Sequence, residues 1–168
     1  GVEGFLPAVC RKWEGAVQPA VDAGVRVVLL RTGIVLDSKG GALNKMLTPF
    51  KMGGGGIIGD GKQYMSWISL EDMVNAIHFL LFDSNMSGPV NLVSPNPVSN
   101  YEFTKILGHI LHRPTVMPLP GFAARILFGE MADALLLSST RVEPVTLLEN
   151  GYKFKHADLK TALKDIIK

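Results

Sequence analysis

Val25-Arg26-Val27-Val28-Leu29-Leu30 runs straight into Arg31-Thr32-Gly33-Ile34-Val35-Leu36, and the reading of this stretch decides the fold. An aliphatic, β-branched run of this length reads as a strand buried on both faces, as in a parallel sheet. The residues before it favour a helix. From Phe5 to Ala23, apolar side chains at Leu6, Val9, Cys10, Trp13, Val17, Ala20 and Val21 recur at helical spacing and predict one buried face. Pro7 suits a first helical turn, Pro19 should kink or shorten the helix, and Gly24 ends it.

Downstream, Leu36 to Gly61 is glycine-rich, with one short helical candidate at Ala42–Lys51. Gly53-Gly54-Gly55-Gly56 follows no strand and opens no helix, so it reads as a flexible connection near a cleft and not as a phosphate-binding loop. Tyr64–Ile68 looks extended. Ser69-Leu70-Glu71-Asp72 is a capping-box-like helix start whose helix should bury Met73, Val74, Ile77, Leu80 and Leu81. Val90–Val93 is a short strand. Ser99-Asn100-Tyr101-Glu102 opens another helix, with Phe103, Ile106, Leu107, Ile110 and Leu111 inward. Further helices are predicted at Gly121–Phe128, Ser139–Glu149 and Ala157–Ile167. The alternation of helix and strand indicates an α/β protein.

A buried parallel strand needs parallel neighbours, because an open ladder leaves backbone groups unpaired. The residues supply few strands for such a sheet, so the rest is expected upstream in a longer protein. The opening Gly1-Val2-Glu3-Gly4 fits that expectation, with no Met and no signal-peptide pattern. The 168 residues are 47% hydrophobic and 19% charged, which argues against disorder. A net charge of +2 with scattered Lys and Arg gives no case for nucleic acid, and no apolar run approaches a membrane span. The single Cys10 rules out an internal disulfide. The expected location is cytoplasmic, or an organelle if a targeting segment precedes this chain.

Arg31-Thr32-Gly33-Ile34-Val35-Leu36 resembles the Arg-Pro-Gly-x-Val-Tyr-Gly segment that follows a late strand of extended short-chain dehydrogenase/reductases. Ile58-Gly59-Asp60-Gly61, Met65 to Asp72, and Gly88-Pro89-Val90-Asn91-Leu92 with Pro97-Val98-Ser99 resemble later landmarks of that family, in order. A narrower resemblance covers the whole chain. Cys10-x-x-Trp13-Glu14, Gly40-Gly41-Ala42-Leu43, Ser66-Trp67-Ile68, Gly129-Glu130-Met131-Ala132, Leu137-Ser138-x-x-Arg141-Val142-x-Pro144 and Gly151-Tyr152-x-Phe154 are similar to the atypical YfcH-like "epimerase family protein" group.

The resemblance implies the C-terminal portion of an extended, NAD(P)-binding Rossmann-like fold, without the Gly-rich N-terminal half. Residues 1–113 would complete the sheet and substrate lobe, and 114–168 would form a small, mostly helical C-terminal domain. It implies an NADP(H) cofactor and an unknown small substrate. Arg31 would meet a cofactor phosphate, with Thr32, Gly33 and Ile34 beside the nicotinamide end, although an Arg paired with a neighbouring carboxylate is the plain alternative. Trp67 would flank the substrate cleft or else lie in the core.

The family's Tyr-x-x-x-Lys pair, in which Lys lowers the phenol's pKa for proton transfer, aligns here with Leu6 and Cys10. Neither side chain can replace its counterpart, and the catalytic residues stay unassigned. Cys10 reads as buried or cofactor-facing, since Leu6, Trp13 and Glu14 offer no base to make a thiolate. Glu71 and Asp72 read as helix-start carboxylates. His78, His109, His112 and His156 show no metal spacing, and no metal is expected. Arg141 either braces the C-terminal segment or reaches the cleft. Two functions stand side by side: an epimerase- or reductase-like enzyme, and a non-catalytic NADP(H)-binding regulator, since some relatives are linked to cell or plastid division. An independent helical module without ligand is the third reading, and the orphan strand argues against it.

Overall fold

The computed structural model describes residues 5–83, 85–116 and 138–168, and the predicted helix at Gly121–Phe128 lies outside them. The aliphatic stretch forms β1 (Val28–Thr32), followed by β2 (Ile34–Leu36). β1 pairs in parallel with β5 (Gly88–Leu92), bringing Leu30 beside Val90 and Arg31 beside Asn91. β2 pairs in parallel with β4 (Trp67–Ser69), bringing Ile34 beside Trp67. A third pair is antiparallel, between β3 (Tyr64–Met65) and β6 (Val98–Ser99).

Gly33 is the point at which the chain changes partners. Its N–H donates to Leu92 O at 3.1 Å, whereas the next N–H, of Ile34, donates to Ser66 O at 2.9 Å. A Cβ on Gly33 would stand 2.6 Å from Ser66 O and 2.8 Å from Val93 Cγ1. Only glycine allows this approach without displacing backbone.

The predicted N-terminal helix divides into α1 (Phe5–Gly15) and α2 (Gln18–Asp22), with Pro19 in the opening turn of the second. The predicted face is not buried: Trp13 is 72% exposed, Cys10 and Val21 are exposed, and Val9, Val17 and Ala20 are half-buried. β1 likewise departs from burial on both faces, with Leu30, Arg31 and Thr32 exposed. The reason is shared. Among the described residues β1 has a ladder partner, β5, along one edge, and α1 makes no extensive contact with another helix or strand.

α3 (Gly41–Lys51) buries Leu43, Met46, Leu47 and Phe50. The glycine run after it is packed, which corrects the expectation of a flexible connection. Gly53 and Gly54 donate to Phe50 O and Pro49 O and close the helix, and Gly55 lies so near the Phe50 ring that a Cβ would sit 2.5 Å from it. α4 (Leu70–His78) buries Asp72 and Ala76 and leaves Val74 exposed, then continues as a π-helical turn over Phe79–Asp83 that leaves Leu81 exposed. Its inward face is turned toward Asp72 because that carboxylate binds the C-terminal segment, as described below. α5 (Asn100–Ile110) starts with the predicted capping box complete in both directions between Ser99 and Glu102, which holds the Glu102 carboxyl below its ordinary range through hydrogen bonds from Ser99.

The C-terminal part contains α6 (Val145–Glu149) and α7 (Leu159–Ile166), the latter capped by Asp158. Residues 139–144 are not helical, contrary to expectation. Their backbone groups bond to Tyr64 and Ser66 instead, and Pro144 disfavours helix in the residue before it. One core cluster unites Leu36, Trp67, Phe103 and Leu107 with Leu159 and Leu163 of α7. A second joins Ile68, Val90, Leu92, Ala76 and Leu80 to Leu147 and Tyr152. The described C-terminal residues thus share their cores with the sheet strands. No helix among the described residues is long and apolar enough to cross a membrane.

Candidate functional site

A cleft of about 470 Å³ opens at the carboxyl end of β1, where parallel sheets place their ligand sites. Arg31, Thr32, Gly33 and Ile34 line one side together, so the sequence-predicted cofactor residues converge on one cavity. Asn91 and Val93 continue it from β5 and the residue beyond. Tyr64, Met65 and Ser66 line it as well, with Thr140 and Val142.

This part of the lining is built by hydrogen bonding between segments distant in sequence. Tyr64 N–H donates to Ser139 Oγ at 3.1 Å, and Thr140 N–H donates to Tyr64 O at 3.0 Å. The buried Ser66 hydroxyl donates to Thr140 O at 2.8 Å and accepts from Val142 N–H at 2.9 Å. A single side chain therefore satisfies two backbone groups of the returning segment. The guanidinium of Arg141 lies over the Tyr64 ring, 4.9 Å from its centroid. Sequence reasoning left Arg141 undecided and missed Tyr64 and Ser66. The resemblance of Ser66-Trp67-Ile68 to the family was their one available signal.

Arg31 also borders a second groove, of about 620 Å³, between α1 and β1, with Cys10, Trp13 and Glu14. There its Nε and Nη2 donate to the two Glu14 carboxylate oxygens, each at 2.8 Å. Through these hydrogen bonds the Glu14 carboxyl is held below its ordinary pKa and the Arg31 guanidinium is raised. The forked pair spans α1 and β1 and holds Arg31 in a fixed orientation. Cys10 is exposed in this groove, which corrects the buried half of the expectation that it is buried or cofactor-facing.

Trp67 does not reach the cleft. Its side chain is 1% exposed, belongs to the core, and donates from Nε1 to Asn96 O at 3.0 Å. Its neighbours Met65 and Ser66 line the cavity instead.

A further polar cluster lies at the start of α4. The Asp72 carboxylate, 1% exposed, accepts from the backbone N–H of Lys155 and of His156, both at 2.8 Å, and from the Tyr152 hydroxyl at 3.4 Å. The Ser69 hydroxyl accepts Asp72 N–H, donates to Asp72 Oδ2, and lies 3.0 Å from His156 Nδ1, whose Nε2 is 3.4 Å from Asp165. Burial and the nearby Asp72 charge push the Tyr152 phenol well above its ordinary pKa. Ser69 is buried and engaged in capping, so this cluster fastens the C-terminal segment and offers no nucleophile. Glu71 adds an exposed ion pair with Lys155 at 2.7 Å. Among the described residues no group of His, Cys, Asp and Glu is arranged to hold a metal.

Comparison with known proteins places this geometry. Residues 119–166 match a domain of unknown function, DUF1731. An epimerase family protein of Mycobacterium bovis is 49% identical over 160 residues, covering 95% of this chain and 53% of that protein. The human epimerase family protein SDR39U1 (isoform 2), solved with NADPH, superposes with a TM-score of 0.79 at 36% identity, covering 84% of this chain and 48% of that one. A nucleoside-diphosphate sugar epimerase from Corynebacterium glutamicum superposes with a TM-score of 0.80 at 36% identity, covering 98% of this chain and 31% of that one. The chain spans about half the length of the curated relatives it matches. With this fold, this cleft and these matches along nearly its whole length, the chain belongs to the epimerase family of extended, NAD(P)-binding Rossmann-like short-chain dehydrogenase/reductases.

Proposed function

We infer that the protein binds a nicotinamide cofactor, NADP(H) in preference to NAD(H), and acts in epimerase- or reductase-like fashion on a small substrate. The carrying observation is the convergence of Arg31, Thr32, Gly33 and Ile34 on one cavity at the carboxyl end of a parallel strand. The residues suit one end of such a cofactor. Gly33 lets the Ser66 backbone close against the strand at the cleft, and Thr32 and Asn91 offer hydrogen-bonding groups. The relative solved with NADPH supports the same reading. The bound nicotinamide would supply hydride transfer. This chain's residues would orient the ligand and restrict water through the wall of Tyr64, Thr140 and Val142.

The rest of the cofactor site is assigned to a segment preceding this chain in the full-length protein. The bare edge of β1 and the exposed apolar face of α1, with Phe5 and Trp13, are the surface such a segment would cover. A titration of the full-length protein with NADPH, followed by fluorescence beside the same titration of this chain alone, tests the assignment. Binding by the full-length form only is the expected result. Binding by neither removes the cofactor reading, and equal binding by both removes the divided site.

A second reading is favoured by Leu6 and Cys10 standing where the family's Tyr and Lys are expected. In it the protein holds NADP(H) without turnover and acts as a regulator, in a cell-division-associated role or another. Oxidation of NADPH by the full-length protein with any carbonyl compound or sugar nucleotide would reject that reading.

A further inference from the structure

We propose that residues 138–143 form a strap that opens and recloses part of the cofactor cleft, and that the Ser66 hydroxyl is its catch. The proposal rests on the cofactor-cleft reading above. It gives the segment matched by the domain of unknown function a part in admitting and retaining the ligand.

The cleft lining joins two kinds of backbone. Gly33 and Ile34 belong to the sheet. Gly33 N–H donates to Leu92 O, Ile34 N–H donates to Ser66 O, and the strands on either side are paired along their length. The close approach of Ser66 O and Val93 Cγ1 to Gly33 leaves that backbone little room to move.

Residues 138–143 are held differently. They form no helix or strand, Ser138 to Arg141 and Glu143 are exposed, and Val142 is half-buried. None of them belongs to either core cluster. They are tied to the cleft through hydrogen bonds: Tyr64 N–H to Ser139 Oγ, Thr140 N–H to Tyr64 O, the Ser66 hydroxyl to Thr140 O, and Val142 N–H to Ser66 Oγ. A longer bond runs from Asn91 Nδ2 to Glu143 O at 3.4 Å. A segment without buried apolar side chains opens at lower free energy than the sheet beside it. Immediately beyond the strap the chain is anchored. Pro144 is buried, and Leu147 of α6 is fully buried in the cluster of Ile68, Val90 and Leu92. The strap therefore turns about that boundary.

Ser66 Oγ holds the strap at two points, and both bonds break together when it lifts. Thr140 and Val142 then leave the cleft lining, which widens the entrance for a ligand. Ser66 itself lines the cleft, so water entering there takes up the released hydroxyl and strands no polar group in the core.

The test uses the full-length protein. Hydrogen exchange at the Thr140 and Val142 amides is compared by NMR with exchange at Gly33 and Ile34, first without ligand and then with NADPH saturating. Strap amides protected about tenfold less than the sheet amides, with protection rising on NADPH binding, are the expected result. Stopped-flow fluorescence then gives NADPH association and dissociation rates for wild type, Ser66→Ala and Ser139→Ala. Loosening a strap raises both rates, by about fivefold for loss of the catch. A merely structural defect leaves association no faster. Ser139 is exposed, so Ser139→Ala carries the test if Ser66→Ala fails to fold. Equal protection of strap and sheet amides overturns the proposal, as does a rise in dissociation alone, which would make the segment a fixed wall. If wild type binds no NADPH the cofactor reading falls by itself, and the exchange comparison without ligand still decides whether the strap opens.

Discussion

The Asp72 carboxylate accepts the backbone N–H of His156 at 2.8 Å, joining the first turn of α4 to a residue 84 positions later. The same carboxylate accepts Lys155 N–H and the Tyr152 hydroxyl, all in a site closed to water. Replacing Asp72 with Ala leaves two backbone donors without their acceptor, while the phenol keeps its bond to the backbone carbonyl of residue 72. The expected cost is about 2–4 kcal/mol, with Asp72→Asn milder because one acceptor oxygen remains. Urea unfolding of the full-length protein measures it, and a change below about 0.5 kcal/mol for Asp72→Ala would contradict the fastening role.

Tyr152 supplies a pH test. Its folded phenol titrates above the ordinary value of 10.0, chiefly from burial and then from the Asp72 charge. The unfolded chain therefore releases this proton first as pH rises. The stability contributed by the neutral phenol is complete below pH 10 and declines above it as pH climbs toward the folded pKa. Tyr152→Phe should remove that alkaline dependence while lowering stability at neutral pH, because the hydrogen bond to Asp72 O at 3.0 Å is lost. Parallel unfolding curves for variant and wild type above pH 10 would refute the assignment.

Gly33→Ala should be disruptive. The new methyl would meet Ser66 O and Val93 Cγ1 well inside contact distance, and the first of these is backbone bonded to Ile34. A loss of about 1–3 kcal/mol is expected, together with weaker NADPH binding, because the shift falls within the cleft wall. A stable Gly33→Ala variant with unaltered NADPH affinity would show that the strand switch tolerates a side chain.

Glu14 and Arg31 separate a structural pair from a ligand contact. The pair is exposed, so Glu14→Gln should leave stability nearly unchanged. If the guanidinium serves a cofactor phosphate, Arg31→Ala should weaken NADPH binding about tenfold while Glu14→Gln does not. Equal, small effects of both substitutions on NADPH affinity would assign Arg31 to bracing α1 against β1.

Ser99→Ala should cost about 1 kcal/mol by removing the cap of α5. Glu102 has a lowered folded pKa, so its contribution is present above the ordinary carboxylate range and is lost as pH falls through the folded value. The thermal midpoint of Glu102→Gln across acid pH should therefore converge with wild type at the acid end, whereas Ser99→Ala keeps the deficit from the lost acceptor of Glu102 N–H. A constant offset for Glu102→Gln would argue that the box adds nothing electrostatic.

Local chemistry was sufficient for much of the chain. The Ser99–Glu102 box, the α3 helix, the α4 start at Ser69 and the α/β alternation follow from interactions within a few residues, and the structure has them where the sequence puts them. Family and fold were legible in the sequence through the resemblance of Arg31–Leu36 and the segments after it to landmarks of extended short-chain dehydrogenase/reductases. Tertiary structure decided what depends on contacts across long separations. Whether the apolar face of α1 is covered, whether 139–142 is helix or wall, and which way Trp67 faces are settled by partners that periodicity does not encode. The cleft belongs to this second class. Arg31 through Ile34 are neighbours in sequence, but Tyr64, Ser66, Thr140 and Val142 join them because one buried hydroxyl and a few backbone hydrogen bonds draw a distant segment onto a strand. A hydrogen bond between residues 76 apart leaves no periodic trace in the sequence, since its free energy depends on burial that exists only after the chain has folded.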